Sequence, residues 1–160
     1  MSILLLLTLL GLLIVIDLAV KGLVENQIAL GTSFDVARGK VTIRKVYNRG
    51  MALNFLAGFP QWVRRITLGV TIAVTIRYII GLFQGGAWLW KLGGTLLVAG
   101  AWGNLLDRLL RGHVIDFVAF KSKWQRLSNI TFNLADFFIF FGGAFILIAS
   151  LVGQGRKGNK

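Results

Sequence analysis

The chain has 160 residues, enough for one domain, and 56% of them are hydrophobic, above the roughly 45–50% of soluble domains. Eighteen Lys and Arg against six Asp and Glu give a net charge of +12, which anionic lipid balances better than nucleic acid because the basic residues bracket apolar segments. With no Cys and a single His, disulfides, a thiol nucleophile and a His-pair metal site are excluded, so we expect no metal or cofactor, and any catalysis rests on carboxylates.

Four apolar stretches are long enough to cross roughly 30 Å of hydrocarbon, which takes about 20 helical residues. We predict transmembrane helices at about 3–24, 62–83, 87–110 and 132–152, within a single membrane domain of residues 1–160. The first stretch lacks a basic start and a small-x-small cleavage site, so we interpret it as a retained helix. The basic, Gly-rich residues 153–160 are predicted to form a solvated tail.

Residues of about 26–60 separate the first two predicted helices and have mixed polarity. Within them, Lys40–Tyr47 alternates charged or hydroxyl side chains with apolar ones, which is the period of a half-buried strand. Asn48–Gly50 is typical of a turn. The predicted fold is therefore mostly α, an integral membrane protein of four transmembrane helices with a small extramembrane β-sheet between helices 1 and 2.

The distribution of basic residues bears on the orientation of the chain in the membrane. The loops opposite the termini carry thirteen Lys and Arg and the terminal side carries five, so the positive-inside rule places the termini outside. The thirteen are Lys21, Arg38, Lys40, Arg44, Lys45, Arg49, Arg64, Arg65, Arg108, Arg111, Lys121, Lys123 and Arg126. The five are Arg77, Lys91, Arg156, Lys157 and Lys160.

Four of the six acidic residues lie inside or at the edge of apolar segments. A charge at the bilayer centre costs about 2.5–3.5 kcal/mol and commonly marks a functional site. Two of these acids have cations nearby in sequence. Asp17 lies four residues before Lys21, and Asp107 is followed by Arg108 and Arg111, so structural ion pairs are the simpler interpretation for both.

Asp116 and Asp136 differ because each lies in an apolar frame without an adjacent cation, at the same predicted membrane face. One interpretation is a carboxylate pair that shares a proton and activates water for peptide hydrolysis. The other is that Asp136 complements the dipole of the fourth helix, with Asn133 as its cap. A proton relay in a small carrier is a third alternative, which the clustering of the acids at one end disfavours.

Three motifs resemble the signature blocks of lipoprotein signal peptidase, also called signal peptidase II: Gly103-Asn-Leu-Leu-Asp-Arg108, Gly112-His-Val-Ile-Asp-Phe117 and Phe132-Asn-Leu-Ala-Asp136. Two weaker motifs, Asp17-Leu-Ala-Val-Lys21 and Asn48-Arg-Gly50-Met-Ala, are similar to family blocks in the first helix and after a strand. The chain departs from the usual pattern at Leu18, where the family has Gln, at Met51, where Ala is common, and at Leu53-Asn-Phe55, where Phe-Ser-Phe is typical.

The resemblance implies that Asp116 and Asp136 are the catalytic dyad of an aspartic-type endopeptidase. It implies that Asn48, Asn104, Arg108 and Asn133 line the site, that Asp107 supports Arg108, and that Asp17 and Lys21 belong to a supporting block.

The resemblance also implies a substrate and a location. Family members cut bacterial prolipoproteins just before a cysteine that carries a diacylglyceryl group, and so release the signal peptide. The enzyme lies in the bacterial inner membrane, with both termini in the cytoplasm and the site near the outer face, under the sheet and a mobile gating segment. We expect a monomer in contact with anionic lipids and without a nucleic-acid partner.

Overall fold

The computed structural model describes residues 2–50, 56–85, 87–124 and 128–155. Within these ranges the chain forms four long helices: α1 (Ile3–Gln27), α2 (Pro60–Phe83), α3 (Trp88–Leu110) and α4 (Leu134–Gly155). Three strands accompany them: β1 (Ser33–Val36), β2 (Val41–Asn48) and β3 (Val114–Phe120). A short 3₁₀ turn, Ala37–Gly39, links β1 to β2.

Local sequence signals account for several helix boundaries. The hydroxyl of Ser2 accepts a hydrogen bond from the Leu5 amide at 3.3 Å and so caps the start of α1. Pro60 occupies the first turn of α2, where its missing N–H would have no helical partner in any case. The observed ends lie within three residues of the predicted ones, and the largest differences are that α1 and α4 continue three residues further.

The helices differ in how they meet their surroundings. Within the described ranges, three of these helices are long and apolar enough to cross a membrane: α1, α2 and the Leu134–Gly153 part of α4. Their outward faces carry exposed apolar side chains such as Leu4 and Phe140, as expected for a protein surrounded by lipid. Glycines, tryptophans and charged residues lower the hydropathy of α3, which is also the most extensively buried of the four.

Helix α3 packs against each of the other three helices. Gly93 lets the backbones of α3 and α4 approach closely, because a Cβ at this position would lie 2.8 Å from the carbonyl oxygen of Gly142. Toward α2, the indole N–H of Trp102 donates to the Thr75 hydroxyl at 3.1 Å. This helix is therefore the centre of the bundle, and its polar residues face protein.

The three strands form one antiparallel sheet in the order β1-β2-β3. The predicted strand over Lys40–Tyr47 corresponds to β2, which begins and ends one residue later. The prediction that the sheet lies wholly between the first two helices is wrong, because β3 comes from the segment between α3 and α4. Most of β3 is buried on both faces, so its sequence is an apolar run without the alternation that identified β2.

The segment before α4 continues the pairing of β3. The amides of Phe117 and Val118 both donate to the carbonyl of Phe132 at 2.8 Å, and the Phe132 amide donates back to Val118 at 2.7 Å. Asn133 follows directly, so this short pairing brings the start of α4 beside Asp116 on β3.

Candidate active site

One asparagine side chain connects the two acids. Asp116 lies in the middle of β3 and is 4% exposed, and Asp136 lies in the first turn of α4. The Asn133 side-chain amide donates to Asp116 Oδ1 at 2.6 Å, while its own oxygen accepts the backbone N–H of Asp136 at 3.0 Å. The fold therefore brings together two carboxyls that are 20 residues apart in the chain.

Asp136 also takes part in the cap of α4. Its Oδ2 accepts the backbone N–H of Asn133 at 3.1 Å, which together with the reverse bond makes a reciprocal capping box. Its Oδ1 accepts the side-chain amide of Asn104 at 2.9 Å. The helix-cap interpretation of Asp136 and its inclusion in a polar cluster are thus compatible, since the two oxygens serve different partners.

Two further asparagines are held so that their NH₂ groups face the acids. The side-chain oxygen of Asn48 accepts the Gly50 amide at 3.0 Å, and its nitrogen donates to Asp116 Oδ2 at 3.0 Å. The oxygen of Asn104 accepts the Lys21 ammonium at 3.1 Å. Because a donor occupies each amide oxygen, each side chain is oriented with its NH₂ group toward a carboxylate, which accepts from it.

A buried ion cluster contacts one asparagine of the site through Lys21. Lys21 is fully buried, and its ammonium lies 2.7 Å from Asp17 and 3.0 Å from Asp107. The predicted helix pair of Asp17 and Lys21 is therefore confirmed. Asp17 also accepts the backbone N–H of Ala135 at 2.9 Å, so a carboxylate from α1 caps α4. Asp107 pairs in addition with Arg111.

Arg108 has partners other than Asp107. Its guanidinium donates to the Gly50 carbonyl at 2.7 Å and to the Asn104 carbonyl at 3.1 Å. Consecutive helical residues do not face each other, so Asp107 contacts Lys21 and Arg111 and not Arg108. Its interaction with Arg108 is limited to electrostatic attraction without direct contact.

Electrostatics at Asp116 depart from those of an ordinary carboxyl. Burial raises the pKa of Asp116 from 3.8 to about 6, and the negative charge of Asp136 acts in the same direction. The hydrogen bonds from Asn133 and Asn48, and the charge of Lys21, oppose this rise. Asp116 therefore keeps a proton at a higher pH than an exposed Asp does.

The acids lie in a cavity of about 590 Å³, which we call the cleft. Six of its lining residues are charged or carry a side-chain amide: Asn48, Asn104, Arg108, Asp116, Asn133 and Asp136. Its apolar walls include Ile66 and Val70 on α2 and Ile139 and Phe140 on α4. These four side chains are 37–69% exposed, so the cleft opens on the apolar outer surface of the bundle. The sequence did not identify them, because wall residues on an apolar helix resemble lipid-facing ones.

Of the remaining sequence features, one lies away from the acids and the other belongs to residues that the structure does not describe. The His113 ring packs against that of Tyr47, with ring centroids 4.2 Å apart and planes tilted by 49°, and His113 does not line the cleft. Met51 and Ala52 of the second weak motif, and the departures at 53–55, lie outside the described residues.

Comparisons with known proteins bear on this arrangement. The family model described as signal peptidase (SPase) II matches residues 9–152. Lipoprotein signal peptidase of Nostoc punctiforme is 36% identical over 136 residues, covering 84% of this chain and 82% of that protein. Lipoprotein signal peptidase of Lactiplantibacillus plantarum is 31% identical over 139 residues, covering 87% and 89%.

Two solved structures of bacterial membrane enzymes are similar to this chain, each at 26% sequence identity. One has a TM-score of 0.85 and covers 99% of this chain and 94% of its own; the other has a TM-score of 0.79 and covers 93% and 94%. Fold and matches together define a membrane-embedded hydrolase, an aspartic-type peptidase. Within that class, the chain belongs to the signal peptidase II family.

Proposed function

We propose that this chain removes the signal peptide from diacylglyceryl-modified bacterial prolipoproteins by cleaving just before the lipidated cysteine. The main support for this proposal is the cleft. Two carboxyls joined through Asn133 lie in a cavity whose apolar walls open on the outer surface of the bundle. An acylated peptide needs polar groups at the scissile bond and an apolar path for its chains. The name of the relatives, lipoprotein signal peptidase, supports the same substrate class.

In the proposed mechanism Asp116 and Asp136 act as an acid and base pair. Two neighbouring carboxyls share one proton, because ionising both in a buried site is costly. The ionised member takes a proton from a water that attacks the scissile carbonyl, while the protonated member donates to the carbonyl oxygen. The proton taken from water then passes to the leaving amine as the C–N bond breaks, and the hydroxyl formed from the carbonyl returns its proton to the carboxylate that donated it. The resting proton belongs to the pair as a whole.

The remaining polar groups hold the pair in position. Asn48 and Asn133 fix the two oxygens of Asp116, and Asn104 fixes one oxygen of Asp136. Each carboxylate oxygen keeps a second lone pair for water or substrate. Arg108 adds a fixed positive charge to the lining of the cleft, where it can stabilise negative charge that develops on the carbonyl oxygen.

We further propose that all four helices cross the bacterial inner membrane, that both termini are cytoplasmic and that the site lies near the outer face. Helix α3 has 23 residues and is about 35 Å long, which exceeds the hydrocarbon thickness. Its low hydropathy is compatible with a membrane span because the other helices shield it from lipid. We propose a monomer in contact with anionic lipid.

The test is cleavage of a diacylglyceryl-modified prolipoprotein by the purified protein in detergent. Asp116→Asn and Asp136→Asn should each reduce the rate by about 100-fold or more, because each removes one proton-transfer group. Asp35→Asn is the matched control, since Asp35 is an exposed acid of the sheet that pairs with Lys121, and its rate should be unchanged. Undiminished cutting by either dyad variant would refute the dyad, and binding without cutting by the wild type would indicate a non-catalytic relative.

A further inference from the structure

A second cavity, of about 570 Å³, lies near the ends of α2 and α3, and we call it the basic pocket. Six of its lining residues are cationic or can become so: Arg49, Arg64, Arg65, Arg108, Arg111 and His113. Among the described residues, one of the five arginines, Arg111, has a carboxylate partner. Such a concentration of guanidinium groups gives the pocket a positive potential that attracts anions.

Two buried side-chain nitrogens in the lining have no hydrogen-bond partner among the described residues. They are Arg108 Nε and His113 Nε2. Buried polar atoms without partners are rare and costly, so each needs an explanation. A ligand with several acceptor oxygens would satisfy the Arg108 Nε–H, which can only donate, and His113 Nε2 in the tautomer that carries its proton there. Planar guanidinium groups match the geometry of phosphate in particular.

The surroundings of the pocket are apolar on the side of the helices. Leu68 and Leu109 line it, while Trp62 and Leu110 nearby are 57% and 75% exposed. The Arg65 guanidinium lies 5.6 Å from the ring centroid of Trp62, an arrangement suited to the interface between lipid and water. A ligand that matches both the cationic lining and the apolar surroundings is an amphiphile, with an anionic head in the pocket and acyl chains along α2 and α3.

We propose that the basic pocket binds the phosphate headgroup of an anionic glycerophospholipid, at a site separate from the peptide cleft. Arg108 lines both cavities, so a bound headgroup would lie next to the arginine that faces the two acids. The proposal also accounts for part of the unusual charge distribution, because all five arginines of the pocket belong to the thirteen basic residues opposite the termini.

Native mass spectrometry of the detergent-purified chain tests the proposal without reference to peptidase activity. The protein is mixed with equal amounts of a phosphatidylglycerol and a phosphatidylcholine of the same acyl length. Wild type should retain the phosphatidylglycerol preferentially. Arg64→Gln with Arg65→Gln should weaken that retention by about tenfold or more, because each cation near an anionic lipid contributes appreciably. The control, Arg38→Gln with Lys40→Gln, removes the same charge from exposed positions of the connection between β1 and β2 and should retain lipid normally.

Several outcomes would overturn the assignment. Equal loss in the two double variants would mean that surface charge in general, not the pocket, holds the lipid. Displacement of the lipid by equimolar inorganic phosphate would mean that the pocket recognises a free anion, and displacement by a poly-glutamate peptide would favour an acidic protein segment. If the pocket double variant does not fold, Arg49→Gln replaces it, and unchanged retention there would count equally against the proposal.

Discussion

Burial and a second carboxyl act together on Asp116. Its folded pKa of about 6 lies above the usual 3.8, so the fold favours the protonated form. The resulting stabilisation is complete below about pH 4 and is lost as the pH rises through about 6, an effect of up to about 3 kcal/mol. We therefore expect the free energy of unfolding of the wild type in detergent to fall across this window, and that of Asp116→Asn to fall less.

A second variant separates the effect of burial on the pKa of Asp116 from the effect of the neighbouring charge. Asp136→Asn keeps Asp116 buried but removes the neighbouring charge, so the pKa of Asp116 should decrease. Infrared titration of the protonated carboxyl band, assigned by its loss in Asp116→Asn, measures the midpoint. A midpoint that does not move in Asp136→Asn would show that the two acids do not interact.

Lys21 should be far more important for stability than a surface lysine in a similar ion pair. It is fully buried between Asp17 and Asp107, and removing it leaves Asp17 without a cation among the described residues and Asp107 paired with Arg111 alone. We expect Lys21→Met to lower the free energy of unfolding by about 3–5 kcal/mol. Lys121→Met breaks the half-exposed pair with Asp35 and should cost about 1 kcal/mol or less. Similar losses in the two variants would contradict the buried cluster.

For individual residues, the sequence identified the unusual side chains better than their contact partners. Charged residues in apolar frames are rare, so Asp116 and Asp136 could be singled out directly. The ion pair of Asp17 with Lys21 was also predictable, because it is local to one helix. The contact of Lys21 with Asp107 was not, since it joins residues of α1 and α3 and depends on how the helices pack.

Helix α4 offers a matched pair of adjacent glycines. A Cβ on Gly142 would lie 2.5 Å from the Leu97 amide nitrogen and 2.6 Å from the Gly93 carbonyl oxygen, both rigid backbone atoms of α3. A Cβ on Gly143 would meet open space. We expect Gly142→Ala to lower the thermal stability of the purified protein by an amount equivalent to about 1–3 kcal/mol, and Gly143→Ala to leave it unchanged or higher. Equal effects would mean that α3 and α4 can separate without loss.

Elements were predictable where their pattern is periodic or long. The apolar stretches located the helices, and alternation located β2. Strand β3 was missed because it is buried on both faces, so that Val114–Phe120 is an apolar run that could equally continue a helix. That omission affects the site directly, because β3 carries Asp116 and its pairing with Phe132 positions Asn133.

Most of the positive charge, thirteen of the eighteen basic residues, belongs to the loops opposite the termini, so the positive-inside rule disagrees with the proposed cytoplasmic termini. Specific contacts account for part of this charge. Lys21 and Arg111 pair with buried acids, Lys45 pairs with Glu25, and Arg44 donates to the Thr131 hydroxyl and to nearby backbone carbonyls. Cations with fixed partners within the fold are poor indicators of topology. The raw count therefore overstates the preference of the loops opposite the termini for the cytoplasm.

The orientation can be decided with single cysteines, since the chain has none of its own. Ser33 is an exposed residue of β1 and Gly153 an exposed residue near the end of α4. If the termini are cytoplasmic, an impermeant maleimide applied to intact spheroplasts should label Ser33→Cys, and should label Gly153→Cys after lysis. The reverse pattern would place the sheet and the two acids on the cytoplasmic side, where a peptidase that acts on exported precursors would meet its substrate before translocation. Labelling of one site in intact spheroplasts therefore decides both the topology and the side of the membrane on which cleavage takes place.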